Sequence, residues 1–271
     1  MKPTESAPKS AASVLAGRIL ASAKYRRLRL PPETVESIVA NELADGWKGS
    51  PLEQRVREKL HHLAATYLGD LNAPLVYSQL GENADLDDFR PICAEVLRQH
   101  ASTRERLEIL NDFYPRLFDI TGQPGVILDL ACGLNPFSLP WVPAAKTIEF
   151  HAYDIVLPRL AQIDAFFKQA GLRGATHHQD ILLQPPAEEA DVAFLFKEIH
   201  RMEDRQKGAA LRMLSQLKAK WLLISLPTRN LTGTRSLLEI HRRLMQSVLS
   251  AVNWQVTEIL FENEIVFAIR K

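Results

Sequence analysis

Acidic residues stand inside or just after successive strand-like runs in the second half of this chain, where they could handle a ligand. Asp129 interrupts the run Val126 to Ala131, which leads through Ala131 and Cys132 into Gly133. Gly133 lets the backbone turn sharply and lets a ligand approach closely, and Pro136 suits the first turn of a helix. A buried strand, a small-residue loop and a helix start describe the first βα turn of a doubly wound sheet, whose ligands bind at the carboxyl ends of the strands. Asp154, with Ile155 beside it, ends a second run, where a carboxylate can accept from two ribose hydroxyls; a helix N-cap is the alternative. Asp180 ends a third run. It could accept from an adenine amino group while the Ile181 N–H donates to the ring, or it could serve as a turn residue. Asp129, inside its strand, needs partners, and the N–H groups of the loop are the expected ones.

Upstream, Ser102 and Glu105 have the spacing of a capping box, and Arg106 follows. An arginine fork can bind a carboxylate bidentately, and the hydroxyls and free N–H groups of Ser102 and Thr103 at a helix start favour anions. From spacing alone, a capped surface helix with exposed arginines is the better reading. The glycine loop does not have the G-x-G-x-x-G spacing of a pyrophosphate cradle. Its Asp129-Leu130-Ala131-Cys132-Gly133 form resembles motif I of the S-adenosylmethionine (SAM) methyltransferases, which implies a loop packed against the amino-acid end of SAM.

The composition bounds what surrounds these residues. A chain of 271 residues allows one large domain or one domain with an extension. The formal net charge of +1 announces no global nucleic-acid binder, so any basic surface is local. Cys93 and Cys132 are too few for a disulfide scaffold and fit a reducing cytoplasm. The adjacent pairs His61-His62 and His177-His178 point to different faces of their elements, which argues against zinc. The polar start Met1 to Ser10, with Pro3 and Pro8, reads as a disordered segment without a signal peptide's apolar core. No apolar run approaches the length of a membrane span.

From Ser10 to Leu97 the pattern is helical. Val14, Leu15, Arg18, Ile19 and Ala23 carry one helical period. Glu33 to Ala44 forms a second helix behind Pro31-Pro32, and Ser50-Pro51 starts a third, with Ser50 as cap, running to about Leu68. Asn72-Ala73-Pro74 interrupts, and a weaker helix runs from Leu86 to Arg98. The capping-box helix continues to about Phe118. From Val126 strands alternate with helices, as a parallel sheet requires: strands at 126–131, 148–153, 175–179, 191–196 and 221–226, and helices at 156–170, 204–217 and 236–251. Two closing runs, Trp254 to Phe261 and Ile265 to Ile269, read as a hairpin. The domains expected are a helical part, 1–98, and an α/β part, 99–271.

The motifs together carry a resemblance. His100-Ala101-Ser102-Thr103-Arg104-Glu105-Arg106-Leu107, Asp129 to Pro136, Gln179-Asp180-Ile181 with Pro185-Pro186, Phe196-Lys197 and Pro227-Thr228-Arg229 resemble the aminoglycoside-resistance 16S rRNA methyltransferases. Lys24-Tyr25-Arg26, Thr34-Val35, Ser50-Pro51 and Leu60-His61 extend the likeness towards the N-terminus. The resemblance implies a Class I SAM-dependent methyltransferase, a Rossmann-like seven-stranded α/β sheet with an all-helical N-terminal domain. The implied cofactor is SAM and the implied product is N7-methylated guanine-1405 in 16S rRNA of the 30S subunit. The implied cofactor residues are Ser102, Thr103, Arg106, Gly133, Asp154 and Asp180, with His100, Ala131, Ile155, Ile181 and Lys197 alongside. Lys24, Arg26, Arg27, Arg55, Arg57 and Lys59 would dock on rRNA phosphates, a shape-reading task for which moderate charge suffices; a solvated face, partly neutralised by Glu36, Glu42, Glu53 and Glu58, is the alternative. Arg229 and Arg235 are further RNA-side candidates, and Lys197 could serve the target side or be a strand-end surface lysine. The chain departs from the family after Arg229: a glycine-rich loop leading into a Gly-Met segment is replaced by Asn230 to Leu238.

Guanine N7 already presents a lone pair in the major groove, so no general base is needed, and no residue is assigned a catalytic role. Positioning of an unstacked base is the expected source of rate. A cytoplasmic monomer with no membrane partner is expected. Two other functions use the same residues: a SAM methyltransferase for another rRNA base or a small molecule, and a SAM-binding ribosome-assembly factor without turnover.

Overall fold

The computed structural model describes residues 10–64, 84–230 and 232–271. The expectations for the polar start, for the third helix beyond Ala64 and for the break at Asn72-Ala73-Pro74 lie outside the described residues. Two compact units make up the chain, Met1–Leu68 and Gly69–Lys271.

The first unit is helical. α1 (Ala11–Ala21) is capped by Ser10, whose hydroxyl oxygen accepts from the Ser13 N–H at 3.2 Å. α2 (Ala23–Arg26) follows, then α3 (Pro32–Ala44), which begins on proline, and α4 (Gly49–Leu63). Lys48 takes the N-cap position of α4, and Ser50 lies inside its first turn without capping it. Ile19, Tyr25, Val35, Ile38, Val39, Val56 and Leu60 are fully buried, whereas Val14 points outward. The apolar face of α1 therefore runs through Ala16 and Ile19.

The second unit opens with a 3₁₀ turn, Leu86–Phe89, and α5 (Arg90–Arg98). By sequence alone this stretch groups with the N-terminal helices. Its amphipathic face decides otherwise: Phe89, Cys93, Val96 and Leu97 are buried in one cluster with Phe113, Phe137 and Phe166. α6 (Ala101–Arg106) and α7 (Leu110–Thr121) are joined by a 3₁₀ step, Leu107–Ile109. His100 occupies the N-cap position of α6 with no side-chain capping bond, so the Ser102–Glu105 capping box does not form.

Then comes the sheet: β1 (Val126–Leu130), β2 (Glu149–Asp154), α8 (Leu157–Gln169), β3 (Arg173–His178), β4 (Glu189–Phe196), α9 (Ile199–Arg205), α10 (Ala209–Gln216), β5 (Lys218–Pro227), α11 (Leu238–Leu249), β6 (Gln255–Leu260) and β7 (Glu264–Arg270). The strand order is β3-β2-β1-β4-β5-β7-β6. The first five strands pair in parallel, and β7 inserts antiparallel between β5 and β6. The strands β1, β4, β5 and β7 send alternate side chains into two cores, as the two-residue period requires. Ile127, Val192, Phe194 and Leu223 join one, and Leu128, Ala193, Leu195, Leu222 and Ile224 join the other. The single helix expected over 204–217 is two: the first ends at Arg205, where Gln206 turns extended, and Gly208, with φ of +73°, precedes the second. After β1 the chain turns in a 3₁₀ helix, Asn135–Trp141, whose internal Pro140 lacks the N–H that an α-helix would use.

Candidate functional site

The first strand ends in a strained loop. Ala131 and Gly133 both have positive φ, +50° and +54°, conformations that cost an L side chain energy and recur where a ligand is clamped. The Cys132 N–H donates to the Tyr153 carbonyl at 2.9 Å, tying the loop to the end of β2. A Cβ added at Gly133 would meet nothing within 4 Å, so the loop leaves open space on that side.

Asp154, buried at the end of β2, faces this loop. Its carboxylate accepts from the Gly133 N–H at 3.0 Å, from the Val156 N–H at 2.8 Å, and from Arg159 Nη1 on both oxygens at 3.0 and 3.1 Å. A carboxylate has about four acceptor positions, and these contacts fill them. Asp180, also buried, accepts from the Leu182 N–H at 3.1 Å and pairs with Arg205 at 2.7 Å. It does close a turn, and Ile181 is buried beside it. Ala131 lines the second core from its rim.

Arg106 reaches the same edge from α6 and is almost completely buried. Its guanidinium binds Glu264 through Nε (3.1 Å) and Nη2 (2.5 Å), and Asn135 Oδ1 through Nη1 (2.7 Å). Phe113 and Phe196 flank its plane at 4.6 and 4.4 Å, an arrangement that suits arginine and not lysine. Lys197, with φ +58°, puts its ammonium on Glu105 (2.9 Å), the Ser102 carbonyl (3.0 Å) and Glu264 (3.3 Å). It is thus a buried member of the network and not a surface lysine. Thr103 donates its hydroxyl to the Leu97 carbonyl at 2.7 Å, and Ser102 Oγ lies 2.6 Å from His100 Nδ1. The side chains read as anion-binding donors are thus already engaged by protein groups.

Burial sets the ionisation here. Burial pushes Asp129 up to about 8, against the opposing pull of Asn135 and Arg106. Its hydrogen-bond donor is Asn135 Nδ2 at 2.9 Å, a side chain where loop N–H groups were expected. Glu198, next after Lys197, is raised to about 7 by burial, and the Asp154 charge adds to the rise. His100 is lowered to about 3 by burial and then by Arg159, Arg201 and Lys197. Burial alone would raise Glu264, but Arg106 and Lys197 hold it below the usual carboxylate range.

The parallel sheet, the strained loop and the acids at its carboxyl edge together define the comparison with known proteins. The model of the FmrO ribosomal RNA methyltransferases matches residues 21–268. The chain belongs to this family of ribosomal RNA methyltransferases. A 16S rRNA (guanine(1405)-N(7))-methyltransferase of Serratia marcescens is 32% identical over 219 residues, covering 79% of this chain and 80% of the relative. One from Micromonospora echinospora is 26% identical over 276 residues, covering 99% and 100%. Among solved structures, the 16S rRNA methyltransferase RmtF in complex with S-adenosyl-L-homocysteine is 26% identical, with a TM-score of 0.77 over 98% of this chain and 100% of the other. The seven-stranded Class I methyltransferase sheet expected from the sequence is the fold observed.

In this family member, several residues of the edge were not singled out from the sequence. Arg159 and Arg205 hold the two aspartates, Glu264 holds Arg106 and Lys197, and Asn135 joins Asp129 to Arg106. Arg159 had a signal, standing five residues after Asp154 on the adjoining helix. Glu264 lies 158 residues from Arg106, and no local pattern announces it.

The RNA-side candidates divide in two. Lys24, Arg26 and Arg27 are exposed. Arg55 and Lys59 converge on the buried Glu42 at 2.6 and 2.5 Å, and Arg57 pairs with Glu53 at 2.9 Å. Lys24, Arg57 and His61 line one surface cavity of about 540 Å³. Arg229 and Arg235, in the second unit, are both exposed. The 230–238 loop, described apart from residue 231, is held by Asn230: its Oδ1 accepts from the Arg235 N–H at 3.0 Å and its carbonyl from the Gly233 N–H at 2.8 Å. Among the described residues, no helix is long and apolar enough to cross a membrane.

Proposed function

We infer that this chain is a SAM-dependent methyltransferase that modifies N7 of guanine-1405 in 16S rRNA of the assembled 30S subunit, with aminoglycoside resistance as the consequence. The observation that carries the reading is the carboxyl edge itself: an open glycine loop between Asp154 and Asp180, in a member of a ribosomal RNA methyltransferase family. When bound, SAM supplies a methyl group activated on a sulfonium. The open side of Gly133 fits its amino-acid end. Asp154 takes ribose hydroxyls in exchange for its bonds to Arg159, and Asp180 with the Ile181 N–H takes the adenine. Arg106, fixed by Glu264 and two phenyl rings, presents a rigid positive field to the cofactor carboxylate, with His100, Ser102, Thr103 and Ala131 around it.

The chain's contribution to rate is positioning. Guanine N7 needs no proton removed, so no general base is assigned. Glu198 and Asp129, raised by burial, limit the negative charge near a cationic cofactor at neutral pH. Lys197 holds Ser102 and Glu105 in place. The first unit docks on rRNA phosphates through Lys24, Arg26 and Arg27, with Arg229 and Arg235 contributing from the sheet unit. The protein acts in the cytoplasm as a monomer.

The test is methyl transfer from labelled SAM to purified bacterial 30S subunits, mapped by primer extension after cleavage at N7-methylguanine. The expected result is one stop, at guanine-1405. A stop elsewhere would overturn the target, and SAM binding without transfer would make the chain a non-catalytic assembly factor.

A further inference from the structure

Two histidines meet diagonally between β2 and β3 on one face of the sheet. β3 is the edge strand, and Tyr153 of β2 stands opposite His177 of β3 in register. His151, two residues before Tyr153, points to the same face. His151 Nδ1 and His177 Nε2 approach to 3.0 Å. Glu188, in the connection that runs from β3 to β4, brings a carboxylate to the same point: one donor atom from each of His151, His177 and Glu188 lies within 4.8 Å of the others. All three side chains are half-buried, so the point is sheltered yet reachable from solvent.

The surroundings orient the donors. His151 Nε2 lies 3.0 Å from Glu149 Oε1. A carboxylate accepts, so Nε2 carries the proton and Nδ1 turns its lone pair towards His177. This carboxylate–histidine arrangement is the one that fixes the tautomer of metal-binding histidines. His177 is held flat against Tyr153, their rings stacked at 4.3 Å and 11°. Two imidazole nitrogens on a tetrahedral zinc ion stand about 3.3 Å apart, given Zn–N bonds of about 2.0 Å. The pair needs only a few tenths of an ångström to open.

We propose that His151, His177 and Glu188 form a three-ligand site for a divalent transition metal of the zinc class, with Glu149 orienting His151 from behind and water as the fourth ligand. The argument against zinc from adjacent histidines holds for the pair itself: His178 turns away and meets the Ile155 carbonyl at 3.0 Å. The site arises instead between strands, where parallel register sets His177 opposite Tyr153 and diagonal to His151, 26 positions earlier. On binding, the proton between the rings leaves His177 Nε2 and is taken up at its Nδ1, so both facing nitrogens present lone pairs and no net proton is released. The ion would clamp the edge strand to the β3–β4 connection, the segment that also carries Asp180. The proposal stands apart from the methyltransferase reading, because none of its ligands is assigned to the cofactor or to RNA.

The experiment is titration of the untagged, chelator-stripped full chain with Zn²⁺ alone, by calorimetry and thermal shift, without SAM. One saturable equivalent and a higher Tm reversed by EDTA are expected. His177→Ala and Glu188→Ala each abolish that equivalent, and Glu149→Gln weakens it about 10- to 100-fold. His178→Ala leaves it unchanged, as does the double variant His61→Ala/His62→Ala in the other unit. Absence of saturable binding in the micromolar range would overturn the proposal. So would binding that survives His177→Ala with wild-type folding by circular dichroism, or that disappears in the His61→Ala/His62→Ala protein.

Discussion

The two units use basic side chains in opposite ways. At the carboxyl edge of the sheet, Arg159, Arg106 and Lys197 are only 2%, 3% and 7% exposed, and each is held by a carboxylate. In the helical unit, Arg55 and Lys59 remain 39% and 28% exposed although both touch Glu42, and Arg26 and Arg27 stand in solvent with no ion pair recorded among the described residues. The difference follows from solvation. A buried cation left unpaired is costly, so its partner is built into the fold. A surface cation keeps its hydration, gains little from an ion pair and is free to take a phosphate. On the proposed function, a basic residue's burial separates those that shape a pocket from those offered to nucleic acid.

Substitutions that remove a partner break this comparison most sharply. Glu264→Ala strips the acid from both Arg106 and Lys197 and is expected to cost about 3–5 kcal/mol in urea denaturation, the range for a broken buried pair. Glu42→Ala should cost less, about 1–3 kcal/mol, because Arg55 and Lys59 can turn to water. The pair Arg26→Ala/Arg27→Ala should leave stability within about 0.5 kcal/mol. Their effect should fall on 30S binding: the slope of log affinity against log salt concentration decreases by about 1 to 2, as for two lost phosphate contacts. A smaller effect belongs to pH. Glu198, raised to about 7 in the folded chain, binds a proton there that the unfolded chain has released above about 4.5. Stability from this group is present below pH 4.5 and lost as pH rises to 7. Glu198→Gln should remove that part of the fall in Tm over pH 4.5–7, and an unchanged profile would show that Glu198 ionises normally.

Much of the fold was legible because it rests on local patterns. The strands β1, β4, β5 and β7 contain apolar runs of the right length, and the terminal hairpin follows from the spacing of its two runs. The domain of the 86–98 stretch is not legible in sequence, because helical periodicity shows that a face is apolar, not which core receives it. The capping box failed similarly. Ser102 and Glu105 have the spacing, but Glu105 is drawn to Lys197 from a distant strand end. Asp154 and Asp180 are legible as strand-end acids because the topology of a parallel sheet gathers strand ends at one edge. Their arginines, and Glu264 beneath Arg106, were missed because such pairs form between elements far apart in sequence.

The measurement that tests this division most directly is steady-state methyl transfer at saturating SAM, with 30S concentration varied, for the wild type and for Arg26→Ala/Arg27→Ala. Exposed cations that serve only to dock the subunit predict a KM for 30S raised about tenfold or more, with kcat unchanged. An unchanged KM, or a loss confined to kcat, would contradict the account and return those arginines to an ordinary solvated surface.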